Sequence, residues 1–159
     1  MVTRRAVLAA GGSVLGVSIA GCLDGSAEAD EGAQFAAATT YLDPDCGCCD
    51  LHADYLESAD ADVEVVELSS DNLAAMKAEL GIPSDLQSCH TTELSEGYAI
   101  EGHVPVDVIN EVVEREPSAV VVGLPGMPSG SPGMPGSKDE EWAFYAIDED
   151  GAVEEFTRR

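Results

Sequence analysis

The chain is short of positive charge. Its 159 residues hold seven Lys and Arg against 31 Asp and Glu, a formal net charge of −24. An excess this large argues against contact with a phosphate backbone, so nucleic acid is not an expected partner. The usual catalytic signatures are also missing. No Ser–His triad and no phosphate loop stand out. Carboxylate pairs at a diagnostic spacing are absent too, and among so many acids chance pairs carry little information. Long apolar runs are lacking as well. The one such run lies within "VTRRAVLAAGGSVLGVSIAGC". At about 15 residues it is short for a bilayer span.

What that stretch does contain is the order of an export signal: basic residues, an apolar run, then small residues. Arg4 and Arg5 form a twin-arginine pair, the mark of a route that carries folded cargo. Ile19-Ala20-Gly21-Cys22 looks like a lipobox. Residues 1–21 are then the signal, and Cys22 is the lipidated first residue of the mature chain. The expected location is the outer face of the cytoplasmic membrane, with the membrane held through the lipid on Cys22. The competing reading is a retained anchor, with Cys22 an ordinary core thiol. Residues 22–34, "CLDGSAEADEGAQ", are small, polar and acidic and form a tether. Residues 35–159 form the domain. Acids are spread along the whole mature chain rather than bunched. That distribution points to solubility in very high salt, and a halophilic source, more than to a cation-collecting surface. At 1 M salt, repulsion between charges reaches only about 3 Å.

Within the domain, the element pattern is α/β. Residues 35–42 suit a strand, and "DLHADYLESAD" places Leu51, Tyr55 and Leu56 at helical spacing. "VEVVEL" (63–68) alternates as a strand with Val63, Val65 and Leu68 as its apolar positions. "DNLAAMKAELGIP" predicts a helix capped by Asp71, with Leu73, Met76 and Leu80 on one face and Gly81 ending it. This βαβα opening implies a parallel strand pair. "TTEL" and "YAIE" then predict a hairpin, and "PVDVINEVVERE" a helix with Pro105 at its first position and Val106, Ile109 and Val113 inward. "AVVVGL" (119–124) reads as a buried strand, and "EWAFYAID" and "AVEEF" as a closing hairpin around "EDG". The expected fold is thioredoxin-like: a central mixed sheet flanked by helices.

The chemistry concentrates in "DPDCGCCD", where Cys46, Cys48 and Cys49 fall within four positions. With Cys89 they make four thiols, which allow three disulfide connectivities. The crowding argues against structural staples, which gain most by closing long loops. Cys46 and Cys49 form a Cys-x-x-Cys at a strand–helix junction, where the helix N-terminus favours a thiolate. Asp45 and Asp50 oppose a bare thiolate, and a bound cation relieves that opposition. Cys89 precedes the third strand and can supply a fourth thiolate, with His90 and His103 as further ligand candidates. His52, three residues past Cys49, can share that helix face without being assigned a ligand role. "PGMPSGSPGMP" repeats Pro-Gly-Met and holds Met127 and Met134 on a stiff loop. Thioether is a soft donor that prefers Cu(I) to Zn(II).

In order, "CGCC", "GIPSDLQSCHT", "GYAIEGHVP" and "GLPGMPSGSPGM" resemble the signature blocks of a bacterial and archaeal family of exported metal-binding proteins that includes the CopG copper-resistance proteins. The resemblance covers about residues 37 to 135. It implies a thioredoxin-like fold, copper handling outside the cytoplasm, and Cu(I) carried by Cys46, Cys48, Cys49 and Cys89, with Met127 or Met134 assisting. The acidic surface, the lipoprotein-like signal and the C-terminal "EWAFYAIDEDGAVEEF" lie outside that pattern.

Three functions compete. One is a binding protein that captures Cu(I), with more than one ion bridged by thiolates, in copper resistance or homeostasis and in contact with other copper-handling proteins. The second is a thiol-disulfide oxidoreductase in which Cys46 attacks and Cys49 resolves. A thioredoxin usually has proline before its third strand, and this chain has Cys89-His90-Thr91 there, which favours metal. In the third, the thiols are oxidised staples on a scaffold.

Overall fold

A computed structural model describes residues 29–159. The signal, Cys22 and most of the tether lie outside the described residues. Residues 29–34, read from sequence as the end of the tether, are joined to the domain by hydrogen bonds. The Ala33 amide donates to the Ala59 carbonyl at 2.8 Å. The Asn110 side chain accepts from the Gln34 amide at 2.8 Å and donates to the Gly32 carbonyl at 3.0 Å.

The element order is β1 (Ala37–Leu42), α1 (Gly47–Ser58), β2 (Asp62–Glu67), α2 (Ser70–Glu79), β3 (His90–Leu94), β4 (Ala99–Glu101), α3 (Val106–Arg115), β5 (Ala119–Gly123), β6 (Ala143–Asp148) and β7 (Val153–Arg158). The strands form a single mixed sheet in the order β2-β1-β3-β4-β5-β6-β7. β1 pairs β2 in parallel, as the βαβα opening requires, and β4 pairs β5 in parallel. The remaining neighbours are antiparallel. Among the described residues no helix is long and apolar enough to cross a membrane.

Strand alternation sorts the core onto two faces. Ile100, Val122, Phe144 and Ala146 join α1 and α3 through Leu56, Val106, Ile109 and Val112. Ala99, Val121 and Ile147 point the other way, toward Ile82, Leu80 and Leu86 beyond the end of α2. α1 and α3 therefore pack on one side of the sheet, and α2, through Lys77, with the segment that follows it packs on the other.

Two local expectations are corrected. α2 starts two residues earlier than expected, and its cap is Ser69, whose hydroxyl accepts from the Asn72 amide, rather than Asp71. Pro105 is the cap of α3 and not its first helical residue. Val65, an apolar position of the 63–68 alternation, is 44 % exposed on the edge strand β2.

Candidate metal centre

The antiparallel register of β1 and β3 brings the thiols together. Leu42, the last residue of β1, lies opposite His90, the first of β3. The chain that leaves β1 toward Cys46 and the chain that enters β3 from Cys89 therefore meet at one edge. The turn into α1 is fixed by Asp43. Its carboxylate accepts from the Asp45 amide at 3.0 Å and from the Ser70 hydroxyl, and its carbonyl accepts from the Cys46 amide at 2.9 Å. Cys46 caps α1 with no side-chain hydrogen bond, so its sulfur is left for other chemistry.

The sulfurs of Cys46, Cys48, Cys49 and Cys89 lie within 4.8 Å of one another. Cys46 and Cys49 are joined as a disulfide, while Cys48 and Cys89 are free and half-buried. All four can act as thiolate ligands only when that bond is reduced. Cys89 also belongs to a second ligand group, with His90 and His103, whose donor atoms lie within the same span. Its Sγ is 3.5 Å from His90 Nδ1 and 3.1 Å from His103 Nε2. Burial pushes the Cys89 thiol up to about 11, and the neighbouring Cys48 adds to the rise.

Behind the thiols lies a histidine cluster that the sequence placed only in part. His52, His90 and His103 are all fully buried. The His90 ring centroid is 4.7 Å from that of His52 and 4.8 Å from that of His103. His103 Nδ1 donates to the Pro132 carbonyl at 2.7 Å, so Nε2 carries the lone pair that faces Cys89. Burial lowers the proton affinity of all three rings, His52 to about 3 and His90 well below its ordinary range. Neutral imidazole is the form that binds a metal.

The Pro-Gly-Met repeat closes the site from outside. Gly133 has φ +80°, and a Cβ there would lie 2.7 Å from the Cys48 carbonyl and 2.9 Å from the His52 amide. Only glycine lets this backbone approach α1 so closely. Met134 follows directly and is half-buried, whereas Met127 stands 40 % exposed on its turn. The structure thus gathers Cys46, Cys48, Cys49, Cys89, His90 and His103 and brings the backbone next to Met134 against the same helix end. It shows no comparable packing for Met127.

On the opposite side of the sheet, a buried ion pair holds the Cys89 segment. Lys77 and Glu101 are 3 % and 0 % exposed and are paired with each other. Glu101 also accepts from the Ser88 amide at 2.5 Å and from the Thr91 hydroxyl at 2.6 Å, so its carboxylate brackets Cys89. Sequence reasoning missed this pair. Lys77 falls on the α2 face shared by Leu73 and Leu80, which was the available signal. A groove of about 310 Å³ between Asp43, Ser70, Lys77 and Ser88 opens onto Cys46 and Cys89. The larger cavity, about 450 Å³ and bounded by Tyr55, Pro132, Lys138 and Trp142, contains none of the thiols.

A family model described as "Protein of unknown function, DUF411" matches residues 86–134, which span Cys89, His90, His103 and the Pro-Gly-Met loop. No curated protein matches the chain. Two solved structures do. "Copper resistance protein copG- Form 2" is 32 % identical with a TM-score of 0.68, over 77 % of this chain and 97 % of that one. "Copper resistance protein copG- Form 1" is 31 % identical with a TM-score of 0.67, over 79 % and 98 %. That likeness runs through nearly the whole of a CopG chain, the family model covers the segment that carries Cys89, and on these matches this chain belongs to the DUF411 family, the one that contains CopG.

Proposed function

We propose that this protein captures Cu(I) outside the cytoplasm, in copper resistance or homeostasis. The observation that carries the reading is the convergence of four cysteine sulfurs, one of them 40 residues from its nearest partner in sequence, within 4.8 Å. Thiolates are soft donors suited to Cu(I). Because Cys89 belongs to both ligand groups, its sulfur can bridge two ions, which supports a site for more than one. His90 and His103 complete the ligand set, with Met134, and Met127 after movement of its turn, as soft supplements. The names of the solved relatives support copper as the metal. A thioredoxin-like core is supported by the first four strands, ordered β2-β1-β3-β4 with β1 and β2 parallel and β3 and β4 antiparallel. The signal-like residues 1–21 and Cys22 support lipid anchoring on the outer face of the cytoplasmic membrane, where other copper-handling proteins are natural partners.

The test is metal analysis of the reduced mature protein after desalting. The expected result is retained Cu(I) in preference to Zn(II), and fewer ions per chain in Cys89→Ser. Absence of retained copper overturns the reading. The bond between Cys46 and Cys49 favours a second reading, a thiol-disulfide oxidoreductase. In the reduced protein the Cys46 thiolate would attack a substrate disulfide and release one substrate thiol. Cys49 would then resolve the mixed disulfide and release the second. Rapid reduction of insulin by the metal-free protein would support this reading over capture.

A further inference from the structure

The metal reading leaves one group in the site without a role: the fully buried His52. Its Nε2 lies 3.0 Å from the Val104 carbonyl oxygen, and its Nδ1 lies 3.0 Å from His90 Nε2. A carbonyl can only accept, so His52 Nε2 carries a hydrogen. The ring has no carboxylate among its hydrogen-bond partners, and an unpaired charge at full burial is strongly disfavoured, so the ring is neutral. Its Nδ1 is then a bare acceptor, and His90 Nε2 must donate to it. The hydrogen of His90 is thereby committed to the side away from the thiols. What remains is the Nδ1 lone pair, 3.5 Å from Cys89 Sγ.

We propose that His52 is a positioning residue that fixes the tautomer and ring orientation of His90, so that Nδ1 of His90 is presented to copper held by Cys89. The inference rests on the capture reading given above. The placement has a simple origin in the chain. His52 lies three residues past Cys49, one turn along the same face of α1, so the helix that starts the thiol cluster also carries the support for its nitrogen ligand. The backbone of Gly133 fits closely over the His52 amide and restricts movement of that turn. His103 is held by a separate device, its Nδ1–H donating to Pro132. The two nitrogen ligands are therefore oriented independently. A histidine that merely filled space would need neither an aimed donor nor an aimed acceptor, and His52 has both.

The relay can be read without copper. Imidazole 15N spectra of the metal-free protein assign the protonated nitrogen of each ring. The expected pattern is Nε2–H for His52 and His90 and Nδ1–H for His103. His90 found protonated at Nδ1 overturns the proposal. Cu(I) affinity is then measured by competition with a chromophoric chelator. His52→Phe removes both hydrogen bonds at similar volume, and a loss of about 10- to 100-fold is expected, the usual effect of removing the group that orients a ligating histidine. His52→Gln keeps one donor and one acceptor, and it should restore the Nε2–H signature of His90 and most of the affinity. Unchanged affinity in His52→Phe with an altered His90 tautomer overturns the proposal. Should His52→Phe fail to fold, the wild-type spectrum and His52→Gln decide. Should the wild type itself hold no Cu(I), the capture reading fails, and the tautomer pattern still judges the relay.

Discussion

Burial of the Cys89 thiol sets a measurable pH signature. Its ordinary value of 9.0 rises to about 11 because the sulfur is largely withdrawn from water and the free Cys48 stands beside it. The bond between Cys46 and Cys49 leaves Cys48 and Cys89 as the free thiols among the described residues. Alkylation proceeds through the thiolate, so its rate follows the ionised fraction. At pH 9 an ordinary thiol is about half ionised, whereas a thiol at 11 is about 1 % ionised. From pH 9 to pH 10 the Cys89 rate should therefore climb about ninefold, against about twofold for an unperturbed thiol. The assay is timed alkylation of the metal-free protein, with the modified residue located by mass spectrometry. A Cys89 rate that levels off by pH 9 refutes the reasoning. The sign carries over to capture. Below pH 11 the free thiol holds a proton that copper must displace, so this group should make Cu(I) affinity rise about tenfold per pH unit. That share should vanish in Cys89→Ser.

Other outcomes follow from the same geometry. His52 takes up a proton near pH 3 when folded and near 6.5 when unfolded, so its contribution to stability is complete above pH 6.5 and is lost as pH falls toward 3. By pH 5 the loss from this ring is about 2 kcal/mol, which urea unfolding at pH 7.5 and pH 5 should show and which His52→Phe should remove. Lys77→Met leaves the buried Glu101 carboxylate without its cation and should cost about 3 to 5 kcal/mol by urea titration. A cost under about 1 kcal/mol would show that the pair is already solvated. Gly133→Ala combines a positive φ with contacts under 3.0 Å, so it should cost about 1 to 3 kcal/mol and weaken Cu(I) retention together with stability.

The elements were legible because their signals are local. Apolar spacing and Pro or Gly punctuation located every helix and strand from Ala37 to Arg158 within a few residues. Cap choice was less legible, since Ser69 and Asp71 are both good caps and only the path of the chain selects between them. The exposure of Val65 was not legible, because alternation shows which residues share a face, not whether anything covers that face. At the site, residue chemistry singled out the thiols, His90 and His103. Their convergence depends on the β1–β3 register, which is non-local. His52 was placed on the helix face of Cys49 but given no role, because its partners, Val104 and His90, lie 52 and 38 positions away. The Lys77–Glu101 pair was hidden for the same reason, as one acid among 31 gives no hint that it is the buried one.

The path of the chain into the domain has a directional consequence. The Ala29 amide is bonded to Ser58 at the last turn of α1, while the cysteines surround that helix's first turn. Twelve helical residues separate those ends by about 18 Å. Seven peptide steps link Cys22 to Ala29, a reach of roughly 25 Å at full stretch. Were Cys22 fixed to a lipid surface, the globule would hang close beneath its own leash, with its sulfur-bearing pole turned outward to whatever passes by.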